Sequence, residues 1–327
     1  MIILIVSTIA GTSGLSCNGM EGLCDLHIDE ITFPGTHNAG SGFNGVLHYW
    51  NGVVALSCFY RNQEKNFYDQ LDAGIRFFDI DTCLWKNDQI EPCHCGGGSC
   101  AYAGNIDIAL TEIDNYMKTH PNEVIIIHFN RDVDGGEEAK KKIAEGLAVK
   151  LESRWHPDGG GQVLMSTHAR WPTLRKAIET KQRIFLFMEN GLAKYLDKPW
   201  VYESNSLIRQ TWESVYVGPG GCGGIVDPAK EKCGTTRDFV ELMVFGTHGL
   251  CIWDMAWHCS RSMASAVDEC YKKRQNYGLT VNIILVDYAV SNYDGDKSVM
   301  NQARIMNEKN IQRFKQESPV NYKNEPC

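Results

Sequence analysis

Seven side chains of types that transfer protons or bind cations occur at the predicted ends of separate strands. They are two histidines, two asparagines and three aspartates: His37, Asn38, Asp79, Asp81, His94, Asn130 and Asp287. Histidines exchange protons near neutral pH, whereas carboxylate and amide oxygens are the ligands that Ca²⁺ and Mg²⁺ prefer. If the fold brings these residues together, the set predicts acid–base chemistry beside a divalent cation.

The first two of these residues belong to the segment Ile31–Gly40, which reads ITFPGTHNAG. Its apolar residues alternate as in a strand, and Pro34 and Gly35 then end the strand. His37 and Asn38 are left at the start of a loop, where binding and catalytic residues are common. The alternative is that His37 only caps a polar strand–loop junction.

Asp79 and Asp81 are two residues apart in a predicted strand, so both carboxylates face the same side. Burying both would be costly without a positive charge. Either Arg76 neutralises them as a salt bridge, or a divalent metal ion does. Asn130, near the end of the next predicted strand, could complete a metal site, with Asp132 as its alternative.

His94 lies in the segment EPCHCGGG, between Cys93 and Cys95, and Cys100 follows. One interpretation is a zinc site formed by these four residues, but their spacing matches no common zinc finger. In an exported protein the cysteines would instead form disulfides that hold the His94 backbone in place, which suits a general acid. A third interpretation is a disulfide-rich loop in which His94 has no role.

Strands and helices that could position these residues alternate along the chain. Predicted strands cover 28–33, 75–81, 123–130, 183–189, 241–245 and 281–287, and predicted helices cover 106–119, 137–154, 173–180, 262–275 and 296–315. Several strands are continuous apolar runs, which is typical of parallel strands buried on both faces. The alternation predicts a (β/α) barrel or a doubly wound sheet. Asp287 ends the last strand, where its carboxylate could orient a histidine.

Composition and charge exclude several classes of partner. The 327 residues are 43% hydrophobic and 22% charged, as in a globular protein with a large core. A net charge of −8 argues against nucleic acid and against a polybasic membrane-docking surface. The aromatic segments Leu47–Trp50 and Trp253–Trp257 could contact a lipid surface transiently, although the second is more typical of a core.

Thirteen cysteines are more than a cytosolic enzyme usually carries. Met1–Ala10 is an apolar run followed by small residues, which predicts a signal peptide at 1–16 and a secreted domain at 17–327. A buried N-terminal strand is the alternative. The glycine-rich segment 218–236, with Cys222 and Cys233, is predicted to be a disulfide-closed surface loop. The odd number of cysteines leaves at least one thiol unpaired or bridging two chains.

The order of PGTHNAG, QLDAGIRFFDID, a further histidine, NEVIIIHFNRD and IILVDY resembles the phosphatidylinositol-specific phospholipase C X-domain superfamily. The resemblance is strongest over 31–132 and is greatest to the secreted, single-domain members. It implies an α/β fold, a distorted (β/α)8 TIM-type barrel in a single domain. It also implies a phosphoric diester hydrolase or lyase that acts on a phospholipid or another phosphodiester.

Two patterns exist in that family, and this chain resembles the metal-dependent one. Metal-free bacterial members carry His-Asp at the first motif and Asp-x-Arg at the second, whereas this chain has His37-Asn38 and Asp79-Ile80-Asp81. The arginine that would stabilise the phosphate is replaced by an acid. The resemblance therefore implies Ca²⁺, with Mg²⁺ as an alternative, held by Asn38, Asp79, Asp81 and Asn130. Calcium-dependent members carry a glutamate on the strand that corresponds to 124–130, where this chain has Phe129 and Asn130.

The resemblance implies that His37, oriented by Asp287, is the general base and that His94 is the general acid. A substrate hydroxyl beside the phosphate would attack phosphorus and give a cyclic phosphodiester. One alternative is a related phosphodiesterase that acts on sphingomyelin or glycerol phosphodiesters. Another is a catalytically weak, secreted binding or effector protein. We expect a monomer that makes transient contact with membrane surfaces and does not bind nucleic acid.

Overall fold

A computed structural model of the chain describes residues 15–42, 59–96, 99–131, 136–155, 163–164, 171–212, 222, 225–246, 251–290 and 298–317, and the backbone of 48–49. The strands in these ranges are β1 (Ser16–Cys17), β2 (Met20–Glu21), β3 (Phe33–Thr36), β4 (His48–Tyr49), β5 (Phe77–Leu84), β6 (Ile90–Gly96), β7 (Ser99–Tyr102), β8 (Ile125–Arg131), β9 (Val163–Leu164), β10 (Gln182–Met188), β11 (Val201–Glu203), β12 (Ile208–Gln210), β13 (Phe239–Met243) and β14 (Ile283–Val286). The helices are α1 (Phe67–Asp72), α2 (Ile106–Thr119), α3 (Gly136–Arg154), α4 (Leu174–Glu179), α5 (Asn190–Ala193), α6 (Ser204–Leu207), α7 (Val226–Lys232), α8 (Ile252–Gln275) and α9 (Val299–Glu317).

Eight parallel strands form a curled sheet in the order β11-β10-β8-β5-β3-β14-β13-β12. In the described part of the chain, β11 and β12 at its two ends are not paired with each other, so the barrel is open between its fifth and sixth strands. β6 extends the sheet beyond β5 as an antiparallel strand and pairs with β7. The predicted distorted (β/α) barrel is confirmed.

Alternate residues of the barrel strands pack into two different apolar clusters, as expected for strands buried on both faces. Side chains of one parity fill the barrel interior: Phe77, Ile126, Phe185, Phe239 and Ile283. Side chains of the other parity pack against the surrounding helices: Phe78, Ile127, Leu186, Leu242 and Ile284. This parity directs polar residues at the strand ends either into the barrel mouth or away from it.

The predicted strand 28–33 is wrong in its position, because Ile28–Glu30 forms a 3-10 helix and β3 begins only at Phe33. The Glu30 carboxylate accepts a hydrogen bond from the His27 backbone N–H at 2.9 Å, which stabilises the helical turn. Gly35, predicted to end the strand, lies within β3. A Cβ atom there would meet Phe77 Cδ1 at 3.0 Å, so the absence of a side chain lets the interior close around the glycine.

The predicted helix 262–275 begins ten residues earlier, at Ile252, immediately after its N-cap residue Cys251. Its first turns are amphipathic, with Ile252 and Met255 packed against Tyr288. Trp253 is 50% exposed and Trp257 is 43% exposed, so the expectation that this segment belongs to the core is wrong. Helix α2 has the predicted bounds.

The predicted surface loop at 218–236 is also wrong over its described part. Residues 226–232 form α7, and the flanking Cys222 and Cys233 are fully buried. Disulfides join them to Cys259 and Cys270 of α8, so this segment is fixed against the longest helix of the fold.

Five disulfides occur among the described residues, and Cys251 is unpaired there. This number of disulfides is compatible with an extracellular protein. Cys58 and Cys327 lie outside the described residues, as does 1–14, so the signal peptide stays a prediction. Among the helices that are described, none is long and apolar enough to cross a membrane.

Candidate active site at the carboxyl ends of the barrel strands

A histidine–aspartate pair lies where two adjacent barrel strands end. His37 follows β3 and Asp287 follows β14, and the last residues of these strands, Thr36 and Val286, are in register. His37 Nδ1 lies 2.8 Å from Asp287 Oδ1, and Asp287 is only 2% exposed. Because the carboxylate can only accept a hydrogen bond, Nδ1 of His37 carries a proton and donates it. The other ring nitrogen, Nε2, does not contact Asp287. The predicted orientation of His37 by Asp287 therefore has the required geometry.

Two polar residues that sequence reasoning missed hold this pair in position. Asn62 Nδ2 donates to Asp287 Oδ1 at 2.8 Å, and Gln63 Nε2 donates to the backbone oxygens of His37 at 2.9 Å and Val286 at 3.0 Å. The Ser41 hydroxyl accepts hydrogen bonds from the backbone N–H groups of both Asn62 and Gln63. These buried bonds fix the loop after β3 to the end of β14.

His94 lies across the mouth from His37, on β6. The two ring centroids are 6.2 Å apart at an interplanar angle of 71°. His94 Nδ1 lies 3.1 Å from the backbone oxygen of Tyr60, which can only accept, so Nδ1 carries the proton and Nε2 is the reactive nitrogen. His37 in turn stacks on Phe245, with ring centroids 3.9 Å apart.

Disulfides flank His94 on both sides, Cys83–Cys93 before it and Cys95–Cys100 after it. This confirms the predicted disulfides and rules out the zinc interpretation for this state, because disulfide sulfurs are not thiolate ligands. The bridges attach the strand that carries His94 to β5 and β7, so the position of its backbone is constrained.

The two histidines have opposite protonation tendencies. Burial lowers the pKa of His37, but Asp287, together with Asp79 and Glu241, outweighs this effect and raises that pKa above its usual value. Burial, and then the positive charge of His37, lower the pKa of His94 to about 4. In the free protein, His37 therefore has the higher pKa and binds a proton more readily than His94.

Two of the predicted metal ligands, Asn38 and Asn130, contact a third, Asp79. The Asn38 backbone N–H donates to Asp79 Oδ2 at 3.4 Å, and Asn130 Nδ2 donates to Asp79 Oδ1 at 2.5 Å. Asp81 and Asn130 are register partners on β5 and β8. Arg76 does not neutralise the aspartates, because its Nε pairs with Glu123 at 2.7 Å. The alternative salt bridge is therefore wrong.

These residues suit a hard divalent cation. Asn38 Oδ1 is buried and, among the described residues, has no hydrogen-bond partner, which is costly unless a ligand binds there. Burial raises the pKa of the Asp79 carboxyl, so its charged form lacks full compensation. Two carboxylates and two amides form an all-oxygen donor set if the Asn130 amide presents its oxygen, as Ca²⁺ or Mg²⁺ requires.

A second group of ionisable side chains, His128 and Glu241, lies deeper in the barrel. The sequence pattern did not predict that these two residues would meet. His128 Nδ1 lies 3.6 Å from Glu241 Oε2 and 4.0 Å from Asp79 Oδ1. Burial lowers the pKa of His128, but Glu241 and then Asp79 raise it to a net value above normal. Gln210 Nε2 also donates to Glu241 Oε1 at 3.2 Å. The two carboxylates thus favour the charged form of His128.

Asp132, the alternative metal ligand, and the side chains of Leu47–Trp50 lie outside the described residues.

Comparison with known proteins agrees with this arrangement. A family model described as PI-PLC X matches residues 23–203. The PI-PLC X domain-containing protein 1 of Arthroderma benhamiae is 29% identical over 189 residues, which cover 57% of this chain and 54% of that protein. The 1-phosphatidylinositol phosphodiesterase of Staphylococcus aureus strain Newman is 27% identical over 175 residues, which cover 53% of this chain and 51% of that protein. The matches thus span about half of each relative.

Two solved structures share the fold. The F249X mutant of phosphatidylinositol-specific phospholipase C from Staphylococcus aureus superposes with a TM-score of 0.60 at 19% identity, covering 86% of this chain and 95% of that chain. The enzyme of the same name from Listeria monocytogenes gives a TM-score of 0.58 at 16% identity, covering 87% and 97%. The family match covers more than half of the chain, and the barrel carries the paired histidines. This chain therefore belongs to the PI-PLC X family.

Proposed function

We propose that the protein is a phosphodiesterase that cleaves a phosphatidylinositol-type phospholipid and releases a cyclic phosphodiester. The observation that carries the proposal is the His37–Asp287 pair facing His94 across the mouth of the barrel. Relatives named 1-phosphatidylinositol phosphodiesterase support the reaction class. Five disulfides support a secreted location for the activity.

In the proposed reaction, His37 is the general base. Its Nδ1 is held by Asp287, so Nε2 accepts the proton of the substrate hydroxyl beside the phosphate. That oxygen attacks phosphorus and forms the cyclic diester. The bond from phosphorus to the lipid alcohol breaks, and Nε2 of His94 gives its proton to the departing oxygen.

The pKa order of the two histidines is the reverse of their proposed roles, because the pKa of the base His37 is raised and that of the acid His94 is lowered to about 4. Binding an anionic phosphate beside His94 stabilises its protonated form and raises its pKa. Substrate binding thus favours the protonation state in which His94 is the acid, and the remaining requirement is that His37 becomes neutral.

We propose Ca²⁺, with Mg²⁺ as an alternative, as the cofactor, held by oxygens of Asn38, Asp79, Asp81 and Asn130. The support is the buried, unsatisfied Asn38 Oδ1 within the described residues and the incompletely compensated Asp79 carboxylate. When bound, such a cation supplies positive charge to the phosphate and lowers the pKa of groups beside it.

The test is hydrolysis of phosphatidylinositol vesicles with Ca²⁺ or with chelator, using product analysis. Inositol 1,2-cyclic phosphate should form with Ca²⁺, and His37→Ala should abolish it. The matched control is His120→Ala, since His120 stacks on Tyr116 at the end of α2, away from the mouth. Activity in His37→Ala, or none in the wild type with Ca²⁺, would overturn the proposal. Activity untouched by chelator would overturn the metal alone.

A second candidate is a weakly active or inactive secreted binding protein. It is favoured by Asn130, a neutral residue that hydrogen-bonds to Asp79 where an acid would bind a cation more tightly. Cleavage of sphingomyelin or glycerol phosphodiesters is a third candidate, which the same product analysis distinguishes because neither yields an inositol phosphate.

A further inference from the structure

Two disulfides beside His94 lie in contact with each other. Cys83–Cys93 joins β5 to β6, and Cys95–Cys100 joins β6 to β7. The Sγ atoms of Cys83 and Cys95, which belong to different bridges, are 3.9 Å apart, a distance at which heavy atoms are in contact. The sulfurs of Cys83, Cys93 and Cys95 all lie within 4.8 Å of one another, and no other three cysteines meet in this way in the described part of the chain.

The two bridges differ in their access to solvent. Cys83 is 1% exposed and Cys93 is 5% exposed, and both pack in an apolar cluster with Tyr102. We call Cys83–Cys93 the inner bridge. Cys95 and Cys100 are partly exposed, and we call Cys95–Cys100 the outer bridge. A thiol from solution therefore reaches the outer bridge before the inner one.

Contact between the bridges allows thiol–disulfide exchange to pass from one to the other. In this reaction a thiolate attacks one sulfur of a disulfide, and the other sulfur leaves as a new thiolate. If the outer bridge is opened at Cys100, the sulfur that leaves is that of Cys95, which is 3.9 Å from the sulfur of Cys83. A disulfide bond is about 2 Å long, so an approach of about 2 Å brings these two sulfurs to bonding distance.

We propose that the outer bridge is a thiol-exchange site and that exchange with a small thiol of the glutathione type changes the position of His94. The small thiolate attacks Cys100 Sγ, forms a mixed disulfide there and releases the Cys95 thiolate. The Cys95 thiolate attacks Cys83 Sγ, forms a Cys83–Cys95 disulfide and releases the Cys93 thiolate. Cys93 takes up the proton that the small thiol lost. Two disulfide bonds are present before and after these steps, so no oxidant or reductant is consumed.

The new pairing changes how the strand that carries His94 is attached. In the structure, Cys93 ties β6 to β5 on one side of His94, and Cys95 ties it to β7 on the other side. After exchange, the covalent tie to β5 passes through Cys95, and the covalent tie to β7 is lost. His94 Nδ1 lies 3.1 Å from the backbone oxygen of Tyr60, and a displacement of about 1 Å can lower a catalytic rate about 10²-fold. This effect on catalysis rests on the proposed function, whereas the exchange itself does not.

Disulfide mapping tests the exchange without any turnover. The protein is incubated with a small excess of reduced glutathione, alkylated with N-ethylmaleimide and digested without reduction for mass spectrometry. A Cys83–Cys95 bridge should appear, with Cys93 alkylated and Cys100 carrying glutathione. The variant Cys100→Ser should form the same bridge without added thiol, because its Cys95 is already free.

Cys24→Ser is the matched control. It frees Cys17, which belongs to no group of three close sulfurs among the described residues, so every other bridge should keep its pairing. In Cys95→Ser/Cys100→Ser the attacking sulfur is absent, and glutathione should leave the inner bridge intact. An intact inner bridge in treated wild type or in folded Cys100→Ser would overturn the proposal. The same holds if Cys24→Ser rearranges its other bridges.

Two measurements on the exchanged protein report the position of His94. Cleavage of phosphatidylinositol should fall about 10²-fold, and Cys95→Ser/Cys100→Ser should lose no activity when glutathione is added. The pKa of His94, followed by NMR, should rise from about 4 toward the usual 6.5 as the ring loses burial. An unchanged rate after complete exchange overturns the switch. If the untreated protein does not cleave phosphatidylinositol, the proposed function fails, and an unchanged pKa of His94 then overturns the switch as well.

Discussion

Replacing Asp287 by asparagine removes one charge from the site and leaves the shape of the side chain almost unchanged. The carboxylate accepts from His37 Nδ1 at 2.8 Å and from Asn62 Nδ2 at 2.8 Å, and it is 2% exposed. Both bonds end on Oδ1, so the oxygen of an asparagine can still accept them, but it carries no negative charge and accepts more weakly. The substitution therefore weakens the orientation of His37 and removes the negative charge beside its ring.

The expected size of the effect follows from the loss of the charge that strengthens the bond to His37. A buried, charge-assisted hydrogen bond contributes roughly 1.5–3 kcal/mol, so kcat/KM for the proposed cleavage should fall about 10- to 150-fold. Asp287 also raises the pKa of His37. Because the base His37 has a higher pKa than the acid His94, kcat/KM begins to fall at high pH when the pH passes the pKa of His37. Without the carboxylate that pKa falls, so the alkaline limb should move to lower pH.

Stability provides a measurement that needs no activity. Since the folded pKa of His37 lies above the usual value of 6.5, the stabilisation from the pair is fully present below that value and is lost as the pH rises through the folded pKa. The difference in unfolding free energy between wild type and Asp287→Asn should therefore shrink with increasing pH.

Asp254→Asn is the matched control, because Asp254 also faces a histidine, His258, but at 3.8 Å and half exposed on α8. It should leave kcat/KM and its pH profile within about twofold of the wild type, as exposed pairs contribute roughly 0–1 kcal/mol. The reasoning is refuted if Asp287→Asn retains wild-type kcat/KM, or if its alkaline limb moves to higher pH.

Three further outcomes are expected. His94→Gln should lower kcat by about 10²- to 10⁴-fold without preventing folding, as checked by activity and circular dichroism, and a smaller loss would exclude it as the acid. Trp253→Ala and Trp257→Ala should each weaken binding to phosphatidylcholine vesicles by about 2 kcal/mol in a sedimentation assay, and unchanged binding would contradict a lipid contact by α8. Cys233→Ser/Cys270→Ser opens a bridge of sequence separation 37. It should lower the free energy of unfolding by roughly 4 kcal/mol in urea, whereas a loss under 1 kcal/mol would mean that α7 is held by packing alone.

The convergence of the site could be predicted because parallel barrel strands end at one rim. His37, Asp79 and Asp287 each follow or end an apolar run, so sequence pattern brought them to the same edge. Their functional assignments came from a family resemblance, since the residue types alone allowed a cap or a salt bridge instead.

Asn62 and Gln63 could not be predicted, because they lie outside any periodic segment and their role depends on contacts 225 and 223 residues away in the chain. Glu241 was assigned to the beginning of a strand, whereas it lies in the middle of β13. Its inward direction depends on strand parity and on the closure of the barrel, and so does its contact with His128. Short-range patterns do not contain that information.

The opening between β11 and β12 leaves two strand edges without partners in the described fold. Such edges can pair with edges of other molecules and cause aggregation. Both strands contain only three residues, and Glu203 ends one of them while the exposed Arg209 is central in the other. The Glu203 carboxylate also accepts from the backbone N–H groups of Asn205 and Ser206 and turns the chain away into α6. Short, charged edges of this kind let the barrel stay open without recruiting strands from a second molecule.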